Sequence, residues 1–417
     1  MDSIVLYTEE IDDLREAAEE LFAKAEGFAL KKNTLGVLFA EEETDYPALY
    51  AQLSSRWKFP IIGSTTLAML LAEQGCARTG ISLLLLSSDD CEFAVGMTGE
   101  LDNENYRTEI TSLCSSLSKE LPSPPKLVLT YGGMVASEDN VPEDEIIGAM
   151  EGALGKDVPV YGSVASDGFN FNNYRVFCGE RVTRSGQAVA LVAGAVDPIF
   201  VSTNSVENRA EVTFKVTKAQ SNKVMRLGSG TFVEALTREN MEVSKPNVVG
   251  DYFLSPFVLS IDLGDGDVAE ITRTLSLLNL ETGTGVFLGG VPEGSIVRLG
   301  ILNQNDVQKS VNQAFEKMLS MLSASGKSRR TLLCNSCAAR YLAMASNTDA
   351  EAEAYQGRLP EGISLLGMYG NGELCPMYGN RTDKIHNYKP PFCERHRWSH
   401  ETRCCFRYVS SVAILIL

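Results

Sequence analysis

Residues 59–66 read FPIIGSTT and residues 158–165 read VPVYGSVA. Both stretches carry an apolar residue, a proline, two apolar residues, a glycine and a serine. Their surroundings match as well. TLGVLFA (34–40) has the pattern of a buried strand and YPALYAQLSSRW (46–57) that of a helix; both precede Pro60, and GISLLLLS (80–87) follows as another strand. KLVLTYG (126–132) and EDEIIGAMEGALG (143–155) stand in the same places before Pro159, and YRVFCG (174–179) and QAVALVAG (187–194) come after. The acidic start of that second helix suits the positive end of its dipole. The order strand, helix, Pro-x-x-Gly-Ser, strand predicts an internally duplicated α/β domain over residues 1–200. Its two copies are expected to pair in space, each leaving a Gly-Ser turn at a strand end.

Glycine permits a close backbone approach and serine offers a hydroxyl to a backbone group or a ligand oxygen. Loops at strand ends are where α/β folds bind ligands. Gly63, Ser64, Gly162 and Ser163, with Asp167 just beyond the second copy, are therefore candidate ligand-binding residues.

Past residue 200 the texture changes. AEVTFKVTKAQSNKVMRL (210–227) alternates like antiparallel strands, and FVLSIDLGDGDVAEITRTLSLL (257–278) carries a hairpin signal at GDGD. DVQKSVNQAFEKMLSMLSAS (306–325) is an amphipathic helix, with Val307, Val311, Phe315, Met318 and Leu322 on one face. RTLLCNSCAARYLAM (330–344) begins as a strand and ends as a helix, and GISLLGMYGNGELC (362–375) is a strand entering a glycine-rich turn. The fold class expected is α/β followed by α+β, with the second domain over 201–388.

Composition narrows the function. The chain is 44% hydrophobic and 22% charged, an ordinary globular balance, with a net charge of −17. That charge argues against a nucleic-acid groove and against an anionic membrane surface. The start MDSIVLYTEEIDDL is acidic where a secretory signal is basic, and no apolar run reaches spanning length, so a cytoplasmic protein is expected. A small ligand or a protein partner remains.

Several chemistries lack their residues. Gly326-Lys327-Ser328 resembles the end of a phosphate loop, but Met321 stands where that loop needs glycine. GSGT (228–231) and GTGVFLGG (283–290) miss the dinucleotide spacing. The three histidines, His386, His396 and His400, all lie near the C-terminus, so the N-terminal domain has no internal Ser–His or Cys–His pair. Among ten cysteines only Cys334 and Cys337 have a metal-like spacing, and a second pair is lacking. No catalytic residue, cofactor or metal is expected.

These phrases together resemble the FIST proteins (F-box and intracellular signal transduction). The resemblance is carried by GST (63–65), GSVASDG (162–168), YRVFCGERVTRSGQAVALV (174–192), GTGVFLGGVPEGSIVRLGI (283–301), CNSCAARYLAM (334–344), GMYGNGELCPMYGN (367–380) and HNY (386–388). It runs from about residue 30 to 388, and Cys337, Arg340, Gly367, Gly372, Glu373, Pro376, His386 and Asn387 match the family pattern. It implies a sensory or scaffold module of signal transduction that binds small ligands such as amino acids and is found alone, beside signalling output domains or beside F-box elements, with a signalling protein as partner. Arg340 suits a ligand carboxylate and Glu373 an ammonium group; alternatively the two pair with each other and brace the domain. Asn387 joins the candidate set through the family pattern. Two other readings stay open at this point: an enzyme using Glu373, Asp167 or Cys337, and an interaction scaffold without ligand.

Residues 389–417, KPPFCERHRWSHETRCCFRYVSSVAILIL, depart from the family pattern. From residue 381 onward the segment is basic on an otherwise acidic chain. It reads as a frame-shifted or otherwise non-native ending, poorly packed and leaving a sheet edge open. The alternatives are a genuine basic arm and a zinc tail using Cys393, His396, His400 and Cys404.

Overall fold

The glycine phrase has a third copy. It emerges from a computed structural model that describes residues 1–134, 140–264, 267–325, 331–376, 405–408 and 411–417. The first unit is β1 (Asp2–Thr8), α1 (Leu14–Lys24), β2 (Asn33–Ala40), α2 (Tyr46–Arg56), β3 (Ile61–Thr65), the hairpin β4 (Met69–Leu71) and β5 (Gly75–Ala77), and β6 (Ile81–Ser88). The second repeats that order: β7 (Cys91–Met97), α3 (Tyr106–Glu120), β8 (Leu127–Gly132), α4 (Glu143–Leu154), β9 (Val160–Val164), the hairpin β10 (Val176–Cys178) and β11 (Arg181–Thr183), and β12 (Gln187–Gly194).

The third unit opens with β13 (Ile199–Asn204) and is interrupted by an insert. The insert comprises β14 (Asn208–Arg209), β15 (Phe214–Gln220), β16 (Lys223–Leu227), β17 (Gly230–Thr231), α5 (Phe232–Arg238), α6 (Val249–Tyr252), β18 (Phe257–Gly264), β19 (Asp267–Arg273), β20 (Leu275–Asn279), β21 (Thr284–Phe287) and β22 (Ile296–Ile301). The unit then resumes as α7 (Gln304–Ser325), β23 (Thr331–Cys337), α8 (Ala338–Ala343), α9 (Ala350–Tyr355), β24 (Ser364–Gly370), the pair β25 (Glu373–Pro376) and β26 (Cys405–Tyr408), and β27 (Ser411–Ile416).

Three six-stranded sheets repeat one layout: β1-β6-β2-β3-β10-β11, β7-β12-β8-β9-β25-β26 and β13-β27-β23-β24-β4-β5. Each has one parallel pair, β2 with β3, β8 with β9, and β23 with β24. Each unit lends its hairpin to another unit's sheet. The first unit's β4–β5 joins β24, the second's β10–β11 joins β3, and the third's β25–β26 joins β9. The exchange is cyclic, so the body has a pseudo-threefold arrangement.

Register gives the glycine its reason. Gly63 lies beside Leu38, Gly162 beside Thr130 and Gly367 beside Cys334 across the three parallel pairs. A Cβ on Gly63 or Gly162 would overlap the neighbouring carbonyl oxygen, and one on Gly367 would meet the Cys334 oxygen at 2.8 Å. On the other side these glycines face Phe177, Leu374 and Leu70 of the borrowed hairpins. The third copy is Ile363–Gly370, ISLLGMYG, with Ser364 in place of proline and Met368 in place of serine. The expected Gly-Ser turns are therefore strand interiors: Gly63 and Ser64 lie within β3, Gly162 and Ser163 within β9. The two copies do pair in space: β10 of the second copy pairs with β3 of the first, Phe177 opposite Gly63.

Hydrophobic cores follow the same plan. Apolar residues of all three sheets, among them Phe39, Tyr131, Tyr161, Leu333 and Met368, form one central cluster. Helices cover the outer faces: α1 and α2 on the first sheet, α3 and α4 on the second, α7 to α9 on the third. Ala18, Leu21 and Phe22 of α1 are buried as its periodicity requires, and the Asp13 carboxylate caps its first turn. The insert has its own core around Phe232, Phe257 and Phe287. The strands that flank the hairpin signal, β18 and β19, pair antiparallel.

The tail is a correction in part. Ser411–Ile416 form β27 between β13 and β23, where an open edge was expected, and Ile414, Leu415 and Ile416 are buried. Most of 389–417, including the candidate zinc residues Cys393, His396, His400 and Cys404, lies outside the described residues. Among the described residues no group of three or more metal-ligating side chains occurs.

Candidate functional site

Where a parallel pair of strands ends, the chain must leave the sheet, and the two diverging loops open a crevice. The three units treat that crevice differently. Two positions after the residue beside the glycine stand Ala40, Gly132 and Ser336. Ala40 is buried with Tyr46 and Phe177, whose rings stack 4.0 Å apart. Ser336 is closed over by an internal ion pair. Gly132 gives way to a cleft.

At Gly132 a Cβ would collide with the side-chain oxygens of Glu143 and Gln187. Glu143 opens α4 and Gln187 opens β12, and both are almost fully buried. The Gln187 amide donates to Thr130 Oγ1 at 2.8 Å and to Glu143 Oε2 at 3.4 Å, and Thr130 donates on to the Ala188 carbonyl at 2.8 Å. This chain of bonds fixes a carboxylate at the carboxyl end of β8. Around it lie Leu101, Gly133, Met134, Asn140, Val141, Ile146 and Ser185, and the space between them is about 10 Å³, room for about one water.

A second lobe shares Met134 and Asn140 and extends under the insert. It measures about 30 Å³ and is walled by Phe171, Val249, Leu277, Val286, Phe287 and Leu288, with Asn222, Asn247 and Ser276 as polar groups. The site thus has an acidic, amide-bearing head and an apolar body.

None of the described residues expected at a site is among those that line this cleft. Asp167 is 2% exposed, and its carboxylate accepts the backbone N–H groups of Phe171, Asn172 and Asn173 at 2.9–3.1 Å. It holds a loop in which Phe169 and Phe171 have φ of 67° and 56°, a left-handed conformation costly for a bulky residue. Both rings pack edge-on against Phe253 of the insert region. Asp167 therefore fixes the loop that delivers Phe171 to the cleft wall.

Ser64 and Ser163 are fully buried; Ser163 donates to the Gly372 carbonyl at 3.0 Å. Glu373 is also fully buried on β25, opposite Ser163, at the position that Met69 and Val176 occupy in the other two units. Cys337 caps α8 and is 1% exposed. Asn387 and His386 lie outside the described residues.

Arg340 pairs with Glu351, not with Glu373. Its Nη2 meets Glu351 Oε1 at 3.0 Å, with neither side chain exposed. Nε bonds Ser336 Oγ at 3.0 Å, and Nη1 bonds Ser310 Oγ at 2.8 Å and Ser205 Oγ. Burial opposes the guanidinium charge, but Glu351 outweighs it and holds the pKa above its ordinary value. The Tyr369 hydroxyl adds a bond to Glu351 at 3.1 Å. With its fork engaged by Glu351, Ser336, Ser310 and Ser205, this arginine braces the third unit.

Thiol chemistry is suppressed where burial is resolved. Desolvation pushes Cys76 and Cys114 up to about 12 and Cys178 up to about 11, and it raises Cys334 and Cys375 further. These thiols stay protonated at neutral pH, the wrong state for a nucleophile.

The FIST N domain matches residues 34–229 and the FIST C domain matches residues 233–376. The chain belongs to the FIST family. FIST domains are sensory domains of signal transduction. No curated protein matches this FIST chain. Among solved structures, a crystal structure of a chorismatase aligns over 100% of this FIST chain and 98% of its own, with 8% identity and a TM-score of 0.36. PurL of T. maritima complexed with FGAR aligns over 99% and 72%, with 8% identity and a TM-score of 0.21. Likenesses this low transfer neither fold nor activity. Among the described residues no helix is long and apolar enough to cross a membrane.

Sequence reading missed Glu143, Gln187, Asn140 and the insert wall. The double glycine at 132–133 and the acidic run 143–145 were visible signals, but the run was assigned to the helix dipole alone.

Proposed function

We propose that this FIST protein senses a small amino-acid-like ligand in the cleft at the carboxyl ends of β8 and β9. The observation that carries the reading is the treatment of the three equivalent crevices. One is packed with apolar side chains, one is closed by Arg340 and Glu351, and one opens onto a fixed carboxylate. A ligand ammonium would face Glu143 Oε1 and the Gln187 amide oxygen, and an apolar side chain would enter the lobe of Phe171, Leu277 and Leu288. A ligand carboxylate would lie beside the side chains of Asn140 and Asn222, the latter donating to the Phe287 carbonyl at 2.8 Å, rather than at Arg340. Binding of this kind needs no catalytic group, and signalling would pass to a protein partner.

The test is thermal stability against a panel of free amino acids, small amines and small carboxylates, comparing wild type with Glu143→Gln. A ligand at 100 times its Kd stabilises the fold by about 2.7 kcal/mol, which is readily seen as a shift in Tm. A shift in wild type that Glu143→Gln abolishes supports the reading. A shift of equal size in both would place the ligand elsewhere, and silence across the panel would favour a scaffold.

A further inference from the structure

We infer that the insert, residues 205–303, is a hinged cover for this cleft, pinned at one end by Arg340 and latched at the other by Asp144. The inference takes from the functional reading only the location of the cleft. Three observations carry it. First, the insert has a core of its own around Phe232, Phe257 and Phe287, and it packs into the third unit's core through Val206, Phe253, Val258 and Leu302, beside its two chain crossings.

Second, both crossings meet at one post. Ser205 begins the insert side of the entry, Ser310 follows the exit on α7, and their hydroxyls lie 2.8 Å apart. Arg340 donates to both. Asp306 ties the same strands from the other side, accepting from Asn208 and Asn303 at 2.7 Å each. The residue that sequence reading assigned to ligand is the pin of the hinge.

Third, the far lip is held by the turn of α4 that bears the cleft carboxylate. Glu143, Asp144 and Glu145 are consecutive, and each reaches a different group. Glu143 faces the cleft. Asp144 Oδ1 meets Arg273 at 3.0 Å and Oδ2 accepts the Gly290 N–H at 2.8 Å, with both side chains buried. Glu145 accepts from the insert's Ser221 at 3.2 Å and from Tyr106 of α3 at 3.0 Å. A ligand that orders this turn from the Glu143 side therefore orders the latch, and a closed latch preorganises Glu143. The coupling is reciprocal.

The experiment needs no ligand. Wild type and the double variant Asp144→Ala/Arg273→Met, which leaves neither charge unpaired, are compared by hydrogen exchange at the Gly290 amide. Binding of the apolar dye 8-anilinonaphthalene-1-sulfonate and the far-UV spectrum are recorded in parallel. In the double variant Gly290 protection should fall by tenfold or more and dye emission should rise severalfold, while β8 and β12 keep their protection. Unchanged protection and dye binding would overturn the cover, and so would protection lost equally throughout the body. Neither outcome depends on the amino-acid screen, so failure of the ligand reading and failure of the cover are separable. Arg273→Met alone, which leaves Asp144 buried and unpaired, should open the latch further than the double variant does; the opposite order would also count against it.

Discussion

Gly132 lies so close to Glu143 that a single methyl group on its Cα would displace the carboxylate. The cleft exists because this position of β8 is the one residue without a side chain, where the equivalent positions of β2 and β23 hold Ala40 and Ser336.

Gly132→Ala should abolish any ligand-induced rise in Tm while leaving the secondary structure intact. The overpacked position costs about 1–3 kcal/mol, small enough for the protein to fold. Circular dichroism and the thermal screen together check this; an alanine variant that still responds to ligand would remove Glu143 from the binding site.

The Arg340–Glu351 pair should be far more sensitive to half-removal than to full removal. Glu351→Gln leaves a buried guanidinium poorly compensated and should cost about 3–5 kcal/mol in denaturant unfolding. Arg340→Met with Glu351→Leu should recover much of that loss, because no charge remains to be desolvated. A double variant no better than the single one would mean that the serines and Tyr369, more than the ion pair, carry the stability.

A chain ended at residue 410 should not form a stable third unit. It loses β27, whose Ile414, Leu415 and Ile416 are buried between β13 and β23. At about 1.5–3 kcal/mol for each buried side chain the loss approaches the whole stability of an ordinary domain. Size-exclusion chromatography should show aggregation; a soluble monomer melting at the wild-type temperature would contradict the assigned pairing.

Above pH 9 the protein should lose stability progressively. Cys76 and Cys114 have an unperturbed pKa of 9.0 and are raised by burial to about 12 in the folded state. Between those values the unfolded chain has released protons that the folded one retains, so unfolding gains as pH rises. Below pH 9 these thiols contribute no slope. Denaturant midpoints from pH 7 to 11 check this, and Cys114→Ala should flatten the alkaline limb.

Much of the body was legible because its strands are continuous apolar runs and its helices have clear faces. Phe39 and Leu38, or Leu129 and Val128, read as buried before any partner was known. The third copy escaped because Ser364 and Met368 replace the proline and serine that marked the first two, and because the insert separates β13 from α7. Partners of long reach were not readable at all. Arg340 looked available because Glu351 belongs to another helix and Ser205 lies 135 residues away. Glu143 looked like an ordinary first-turn acid because nothing in a linear chain brings Gln187 beside it.

The exchanged hairpins bear on how such a chain is made. On the ribosome, β4 and β5 emerge early, yet the outer partner of Met69–Leu71 is Leu366–Met368. The nascent first unit must wait, with the outer edge of this ribbon unpaired, until β24 is made, and β27, later still, completes the sheet that receives it. Contacts of such sequence separation fold slowly and expose edges meanwhile. Expression at low temperature or with a holdase chaperone should therefore raise the soluble yield more than any change to the surface.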